Sequence, residues 1–255
     1  MPEEWFGAVT TIIQAEQLTM RFGPFTVLSE LDLEVRAGEV HAIIGPNGAG
    51  KTTLLHVLAG DLLPSAGRIR FDGKDITFVP MYRRARLGLG RSYQIARLFP
   101  GVTCQQALQL ALQRDSPARD WLSRGRCRLL AERALSMLET AGMAQCAHQE
   151  TTSLSHGLQK QLEIVLALAN EPRLLLLDEP MAGMSASERI ELGARIRLLA
   201  ARQTIVLVDH DIEMVMSIAD RISVMHNGRI VVEGSPSEVR ASRIAQAIYL
   251  GAANA

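Results

Sequence analysis

The chain has 255 residues, of which 47% are hydrophobic, and 27 basic side chains balance 27 acidic ones. This length and composition predict a globular fold with one large domain, or a core with a small subdomain, and zero net charge disfavours a nucleic-acid partner. No apolar run has transmembrane length and the first residues lack a signal-peptide pattern, so we expect a cytosolic protein. The three cysteines have neither disulfide nor zinc spacing.

The N-terminal part of the chain reads as a β-rich section. Short β-like segments at residues 10–13, 26–28 and 31–35 are separated by turn residues. An apolar run at residues 39–44 then predicts a buried strand, and residues 54–59 predict a helix that ends at Gly60.

The phosphate-loop pattern G-x-x-x-x-G-K-[ST] lies between that strand and that helix, where residues 45–53 read GPNGAGKTT. Glycines permit a tight turn close to an anion, and successive backbone N–H groups with a helix N-terminus surround phosphate oxygens. Lys51 is expected to reach the β- and γ-phosphates, and Thr52 to reach Mg²⁺. The predicted nucleotide-binding residues of the loop are Gly45, Pro46, Asn47, Gly48, Ala49, Gly50, Lys51, Thr52 and Thr53.

In the rest of the chain, a region without strand patterns is followed by one in which strands and helices alternate. Residues 68–71 predict a strand, whereas residues 100–156 hold no β-like run and residues 128–141 have helical spacing. Beyond them, helices at 158–169 and 185–201 alternate with strands at 174–177 and 204–208. Aliphatic strands alternating with amphipathic helices predict a parallel sheet that is covered on both faces, with a helical insertion.

Two of these strands end in residues that can act on a phosphate. Four leucines run into Asp178 and Glu179, and a second apolar strand is followed by His210. Ligands bind at the carboxyl edge of open α/β sheets. We expect Asp178 to hold Mg²⁺ or its water, Glu179 to orient and polarise the attacking water, and His210 to contact the γ-phosphate or that water.

The segment LSHGLQ at residues 154–159 opens the next helix and makes the family recognisable. The chain resembles the ATP-binding subunit of ABC transporters, whose usual signature is LSGGQ. The resemblance implies that Ser155 and Gly157 contact the nucleotide held by a second subunit. His156 and Leu158 depart from the pattern, which leaves open whether this signature supports full hydrolysis rates.

The resemblance spans roughly residues 10–250 and implies further roles. Gln94 matches the family's glutamine loop, which links Mg²⁺ and the lytic water to the membrane subunit, and Phe22 matches the aromatic residue that stacks on adenine. The implied fold is a RecA-like phosphate-loop NTPase with an N-terminal antiparallel β section. We expect a nucleotide-binding core of residues 9–95 and 158–255, with residues 96–157 as an inserted helical signature subdomain.

Several segments look like one branch of the family, the importers of branched-chain amino acids. They include RRARLGLG from Arg83, RLFP from Arg97, DHDI from Asp209 and the loop PMAGM at residues 180–184. The branch implies ATP and Mg²⁺ as cofactors, hydrolysis coupled to transport, and a homo- or heterodimer with a second ATPase subunit. It also implies membrane permease subunits, an extracytoplasmic binding protein as an indirect partner, and a peripheral location on the cytoplasmic face of the inner membrane.

Other functions remain open at this stage. Importers of urea or short amides share these motifs and often have Ser-His-Gly in the signature, as at residues 155–157. A third transport hypothesis is a lipopolysaccharide-exporter ATPase. Two hypotheses come from other functional classes: a soluble ABC ATPase that acts on DNA or ribosomes, and a regulatory module that does not hydrolyse ATP.

Overall fold

The computed structural model of the protein describes residues 10–92, 101–113 and 124–252. Its strands form two sheets. The first is antiparallel, with the order β2-β1-β4-β5, and the second has the order β10-β9-β3-β8-β7-β6. The strands of the first sheet are β1 Thr11–Phe22, β2 Phe25–Arg36, β4 Ala66–Phe71 and β5 Lys74–Asp75. Those of the second are β3 Val40–Ile44, β6 Leu89–Arg91, β7 Leu174–Asp178, β8 Thr204–Val208, β9 Arg221–His226 and β10 Arg229–Gly234.

Turn chemistry explains the antiparallel sheet. Gly23 and Pro24 close the hairpin that places Phe22 opposite Phe25. A second tight turn joins β4 to β5 through Asp72 and Gly73, both with positive φ (52° and 73°). Two central residues with positive φ give the backbone twist that a two-residue hairpin requires.

In the second sheet, β6, β7, β8, β3 and β9 are parallel neighbours, and β10 adds an antiparallel edge strand. Every residue of β3, β7 and β8 is buried, as expected for strands that are covered on both faces. The helices are α1 Lys51–Ala59, α2 Met81–Arg86, α3 Cys104–Leu112, α4 Arg124–Thr140, α5 His156–Leu168, α6 Ala186–Ala200, α7 Ile212–Ile218, α8 Pro236–Ala241 and α9 Arg243–Ala252.

Buried apolar side chains form three clusters among the described residues. One fills the space between the two sheets around α1, and the second lies under α6 and α7 on the other face of the parallel sheet. The third joins α3, α4 and α5. Helix α5 links two clusters, because Leu162 and Val165 belong to the third and Ile164 belongs to the second.

The predicted α/β fold class, with a parallel sheet and an antiparallel β section, is confirmed. Strand β8 has the predicted bounds, and α5 begins at His156, two residues before the predicted start. Strands β6, β9 and β10 were not predicted from the sequence. The boundaries of the core and of the helical subdomain stay predictions.

Arg84 is a fully buried arginine that joins α2 to the end of α1. Its guanidinium donates to the carbonyl oxygens of Val57 and Leu58 at 2.9 and 2.7 Å, and to those of Thr77 and Val79 at 3.0 and 2.8 Å. Burial lowers the pKa of Arg84 to about 10. The four acceptors account for the tolerance of this buried cation, and two of them are carbonyls of the last turn of α1.

We expect Arg84→Leu to lower the free energy of unfolding by about 2–4 kcal/mol, because the buried carbonyl groups lose their charged donor. Arg86→Leu, an exposed change in the same helix, is the matched control and should have little effect. Urea denaturation of both variants measures the difference, and equal midpoints would contradict this role of Arg84.

Candidate nucleotide site

The parallel sheet brings the predicted catalytic residues to one edge. Strand β8 lies between β3 and β7, and all three run in the same direction. The phosphate loop follows β3, Asp178 ends β7 and is followed by Glu179, and His210 comes two residues after the end of β8. Their shared location at the carboxyl edge follows directly from the strand order.

The phosphate loop begins with a backbone position that only glycine accommodates. Gly45 has φ 155°, and a Cβ there would lie 2.2 Å from the carbonyl oxygen of Met225 in β9. Gly50, with φ 99°, precedes α1 and makes no side-chain capping bond, and the first turn of α1 has no acidic side chain. The N-terminus of α1 therefore presents backbone N–H groups and partial positive charge to an anion.

Lys51 lies within this loop and is 9% exposed. Its ammonium donates to the carbonyl oxygens of Gly45 and Pro46 at 2.8 and 2.9 Å. Burial lowers the pKa of Lys51, and the nearby Glu179 and Asp178 oppose that shift. Lys51 follows β3 and the two acids lie at the end of β7, so all three lie at the same edge of the sheet.

Asp178 is a buried carboxylate, 1% exposed, and neither of its oxygens accepts a hydrogen bond from the described residues. Burial raises the pKa of Asp178, and the guanidinium of Arg91, 3.8 Å away, opposes this shift. Arg91 also pairs with Asp61. Sequence reasoning assigned no role to Arg91, whose position at the end of the short strand β6 was not predicted.

An orphaned buried carboxylate next to a phosphate loop suits a divalent cation. A hard cation such as Mg²⁺ takes carboxylate, hydroxyl and phosphate oxygens, and would complete the unsatisfied oxygens of Asp178. Thr52, partly buried at the start of α1, carries a hydroxyl at the same edge of the sheet. The residues present therefore fit Mg²⁺. Among the described residues, no group of three or more His, Cys, Asp or Glu side chains forms a site that the protein alone could complete.

Glu179 is partly buried and has a left-handed backbone, with φ 46°. Its N–H donates to the carbonyl oxygen of Val208 at 2.8 Å, which continues the pairing of β7 with β8 by one residue. Left-handed backbone at a non-glycine residue costs on the order of 1 kcal/mol or more and tends to occur at functional sites. The backbone changes direction at Glu179, so that its side chain is only partly buried although every residue of β7 before it is buried.

His210 has a side chain that is 66% exposed, and its Nδ1 lies 3.7 Å from Oδ1 of the buried Asp209. The ring is therefore available to a ligand at the sheet edge.

Phe22 lies at the tip of the β1–β2 hairpin and is 44% exposed. The same hairpin approaches the phosphate loop, because a Cβ on Gly50 would lie 3.0 Å from the carbonyl oxygen of Val27.

Ser155 and Gly157 lie at the N-terminus of α5. Ser155 caps this helix by accepting the N–H of Leu158 at 3.4 Å. Gly157 faces α6, where a Cβ would lie 2.9 Å from Oε1 of Glu188. The contacts described for Ser155 and Gly157 are therefore with residues of α5 and α6. Gln94 lies outside the described residues.

Comparison with known proteins identifies the family. A model of the ABC transporter family matches residues 28–182. The high-affinity branched-chain amino acid transport ATP-binding protein BraF of Pseudomonas aeruginosa is 35% identical, over 95% of this chain and 98% of its own length. This chain belongs to the ABC transporter family. Within the family, the protein of the same description named LivG, from Salmonella typhimurium, is 34% identical with the same coverage of both chains.

The fold of this ABC protein has a close match among solved structures. A nucleotide-free ATP-binding cassette from an ABC transporter superposes with a TM-score of 0.83 at 27% identity, covering 94% of this chain and 98% of that chain. The predicted family and the predicted ATPase class are confirmed, and the chain is an ABC-type ATPase that binds ATP. No helix within the described ranges is both long and apolar enough to span a bilayer.

We expect Lys51→Ala to weaken ATP binding by about two orders of magnitude, because a buried cation that would face the phosphates is lost. Lys74→Ala, which removes an exposed lysine from β5, serves as the control and should leave affinity unchanged. Equilibrium titration with a fluorescent ATP analogue checks both variants. An unaltered dissociation constant for Lys51→Ala would refute the assignment.

Proposed function

We propose that this chain is the ATP-hydrolysing subunit of an importer for branched-chain amino acids. The observation that carries the proposal is the strand order, which brings Lys51, Asp178 and Glu179 to one edge of the parallel sheet. The substrate class is supported by the end-to-end similarity to the two branched-chain amino acid transport proteins.

ATP binding is proposed to use the nine residues of the phosphate loop. Backbone N–H groups of the loop, other than at Pro46, surround the β-phosphate. Lys51 moves from its two carbonyl acceptors to the β- and γ-phosphates, and the ring of Phe22 stacks on the adenine. The loop carbonyls hold the Lys51 ammonium inside the site before ATP arrives. A preplaced cation reduces the ordering that binding requires.

Thr52, Asp178 and Gln94 are proposed to hold Mg²⁺ or its water. When bound, the metal neutralises charge on the phosphate oxygens. The protein contributes the buried carboxylate of Asp178, whose Oδ2 lies 3.8 Å from a guanidinium nitrogen of Arg91. The two carboxylate oxygens are left without hydrogen bonds from described residues, so that a cation does not have to displace a donor.

Glu179 is proposed to accept a proton from the attacking water, and His210 to hydrogen-bond the γ-phosphate or that water. The left-handed turn at Glu179 and the exposure of the His210 ring fit these roles. Phosphoryl transfer depends mainly on positioning and charge stabilisation, so that two polar side chains and the loop supply most of what hydrolysis needs.

A second ATPase subunit is proposed to complete each nucleotide site. Ser155 and Gly157 would contact the nucleotide bound to the phosphate loop of the partner subunit, so that an isolated monomer should hydrolyse ATP slowly. Under this proposal the second subunit is either another copy of this chain or a different ATPase. Attachment to membrane permeases would place it on the cytoplasmic face of the inner membrane, with an extracytoplasmic binding protein delivering the substrate.

We expect Glu179→Gln to lower ATP turnover by ~10² or more, the scale of a lost general base, while ATP still binds. Glu171→Gln is a matched control, because Glu171 also has a left-handed backbone, with φ 47°, but is exposed before β7. Steady-state phosphate release and equilibrium ATP binding are measured for both variants. Turnover retained by Glu179→Gln would contradict its role as the base.

The transported substrate is tested on the complex from its own cell membranes. The tagged chain is purified with its attached subunits, which are identified by mass spectrometry and reconstituted into liposomes with the binding protein. We expect ATP-dependent uptake of labelled leucine, isoleucine and valine. Uptake of urea instead would favour the short-amide importer suggested by His156, and recovery with ribosomes or DNA would refute a transport role.

A further inference from the structure

Asp209 is a buried carboxylate that bonds to two loops at the nucleotide edge of the sheet. It follows β8 directly and is 1% exposed. Its Oδ1 accepts the backbone N–H groups of His210 and Asp211 at 2.7 and 3.1 Å. Its Oδ2 accepts the N–H of Met181 at 3.3 Å, across the gap to the loop that follows β7. One side chain thus connects the segments that carry Glu179 and His210.

The loop after β7 depends on this carboxylate for its first available donor. Glu179 uses its N–H on Val208, and Pro180 has none to give. Met181 is therefore the first residue after Glu179 that can fix the loop to another element, and its N–H goes to Asp209. The backbone of Glu179 is held on one side by β8 and on the other, through Pro180, by Asp209.

The turn after β8 is fixed by the same side chain. An aspartate that accepts N–H groups from the next two residues forms a local turn of the Asx type. Asp211 then caps α7 by accepting the N–H of Met214 at 3.1 Å. The His210 ring leaves the backbone between these two anchored positions. Its Nδ1 lies 3.7 Å from Asp209, too far for a hydrogen bond, so Asp209 bonds to His210 through the main-chain N–H.

We propose that Asp209 is a positioning residue that holds the Glu179 loop and the His210 turn in a fixed relation to each other. The inference rests on the proposed function for the roles of Glu179 and His210, whereas the connection between the two loops is independent of it. Both oxygens are needed, because the amide of an asparagine would accept on one side only and turn an N–H₂ group toward an N–H donor on the other.

The kinetic test compares Asp209→Asn with Asp220→Asn. Asp220 is the control, since its carboxylate also accepts a backbone N–H, that of Val40 in β3 at 2.8 Å, but it is exposed and lies at the opposite edge of the same sheet. We expect Asp209→Asn to lower kcat by about 10- to 100-fold, as for slightly misplaced catalytic groups, and to leave the Kd for ATP within about twofold. Asp220→Asn should lower the melting temperature without lowering kcat.

Two kinetic results would overturn the proposal. The first is a kcat within about twofold of the wild type for Asp209→Asn. The second is a similar fall of kcat in Asp220→Asn, since loss of stability alone would then explain both effects.

Hydrogen exchange tests the connection without relying on hydrolysis. In nucleotide-free protein, we expect Asp209→Asn to speed exchange in peptides covering both residues 179–185 and residues 208–214, and to leave the peptide of the phosphate loop unchanged. Faster exchange in residues 208–214 alone would show that the two loops are not connected, and would end the proposal. A wild-type protein without ATPase activity would instead refute the proposed function, and the exchange result would still decide the role of Asp209.

Discussion

The parallel hydrogen-bonded ladder of β3, β8 and β7 determines where the charged groups of the site lie. Because each strand is buried along its whole length, polar side chains can emerge only where the strands end. The phosphate loop, Asp178 with Glu179, and His210 follow three neighbouring strands. A shift in register of β7 against β8 would move the two acids relative to Lys51. The pairing and packing of the aliphatic strands therefore fix the relative positions of the charged residues at this edge.

At this edge, the buried Asp178 receives no hydrogen bond from the cations that lie near it. Arg91 lies 3.8 Å from Asp178, too far for a hydrogen bond, while its other nitrogen pairs with Asp61. The ammonium of Lys51 is bonded to neutral carbonyl oxygens and not to a carboxylate. A buried acid without strong hydrogen bonds is costly on its own. A ligand that carries both phosphate and a cation would offset this cost, because the cation would contact the carboxylate oxygens of Asp178.

The sequence predicted those parts of the fold whose pattern is local. The aliphatic runs at 174–177 and 204–208 and the phosphate loop identify strands and site without tertiary information. Strand β6 has only three residues, one of them Gly90, so that no periodicity shows. Strands β9 and β10 support the loop from a distance in sequence, through the bond from Gly228 N–H to the carbonyl oxygen of Ala49 at 3.1 Å. The hydrogen bond from Met181 to Asp209 likewise joins residues far apart in the sequence, so the sequence alone did not indicate a role for Asp209.

One departure from the usual signature lies beside the loop that follows Glu179. His156 replaces the first glycine of the signature, and that loop reads MAGM at residues 181–184. A Cβ at Gly183, whose φ is 75°, would lie 3.0 Å from Nδ1 of His156. The glycine therefore leaves room for the imidazole, and the imidazole lies against the loop that Asp209 holds at Met181. The contacts therefore run without a break from the signature helix, through the loop that follows Glu179, to the turn that carries His210.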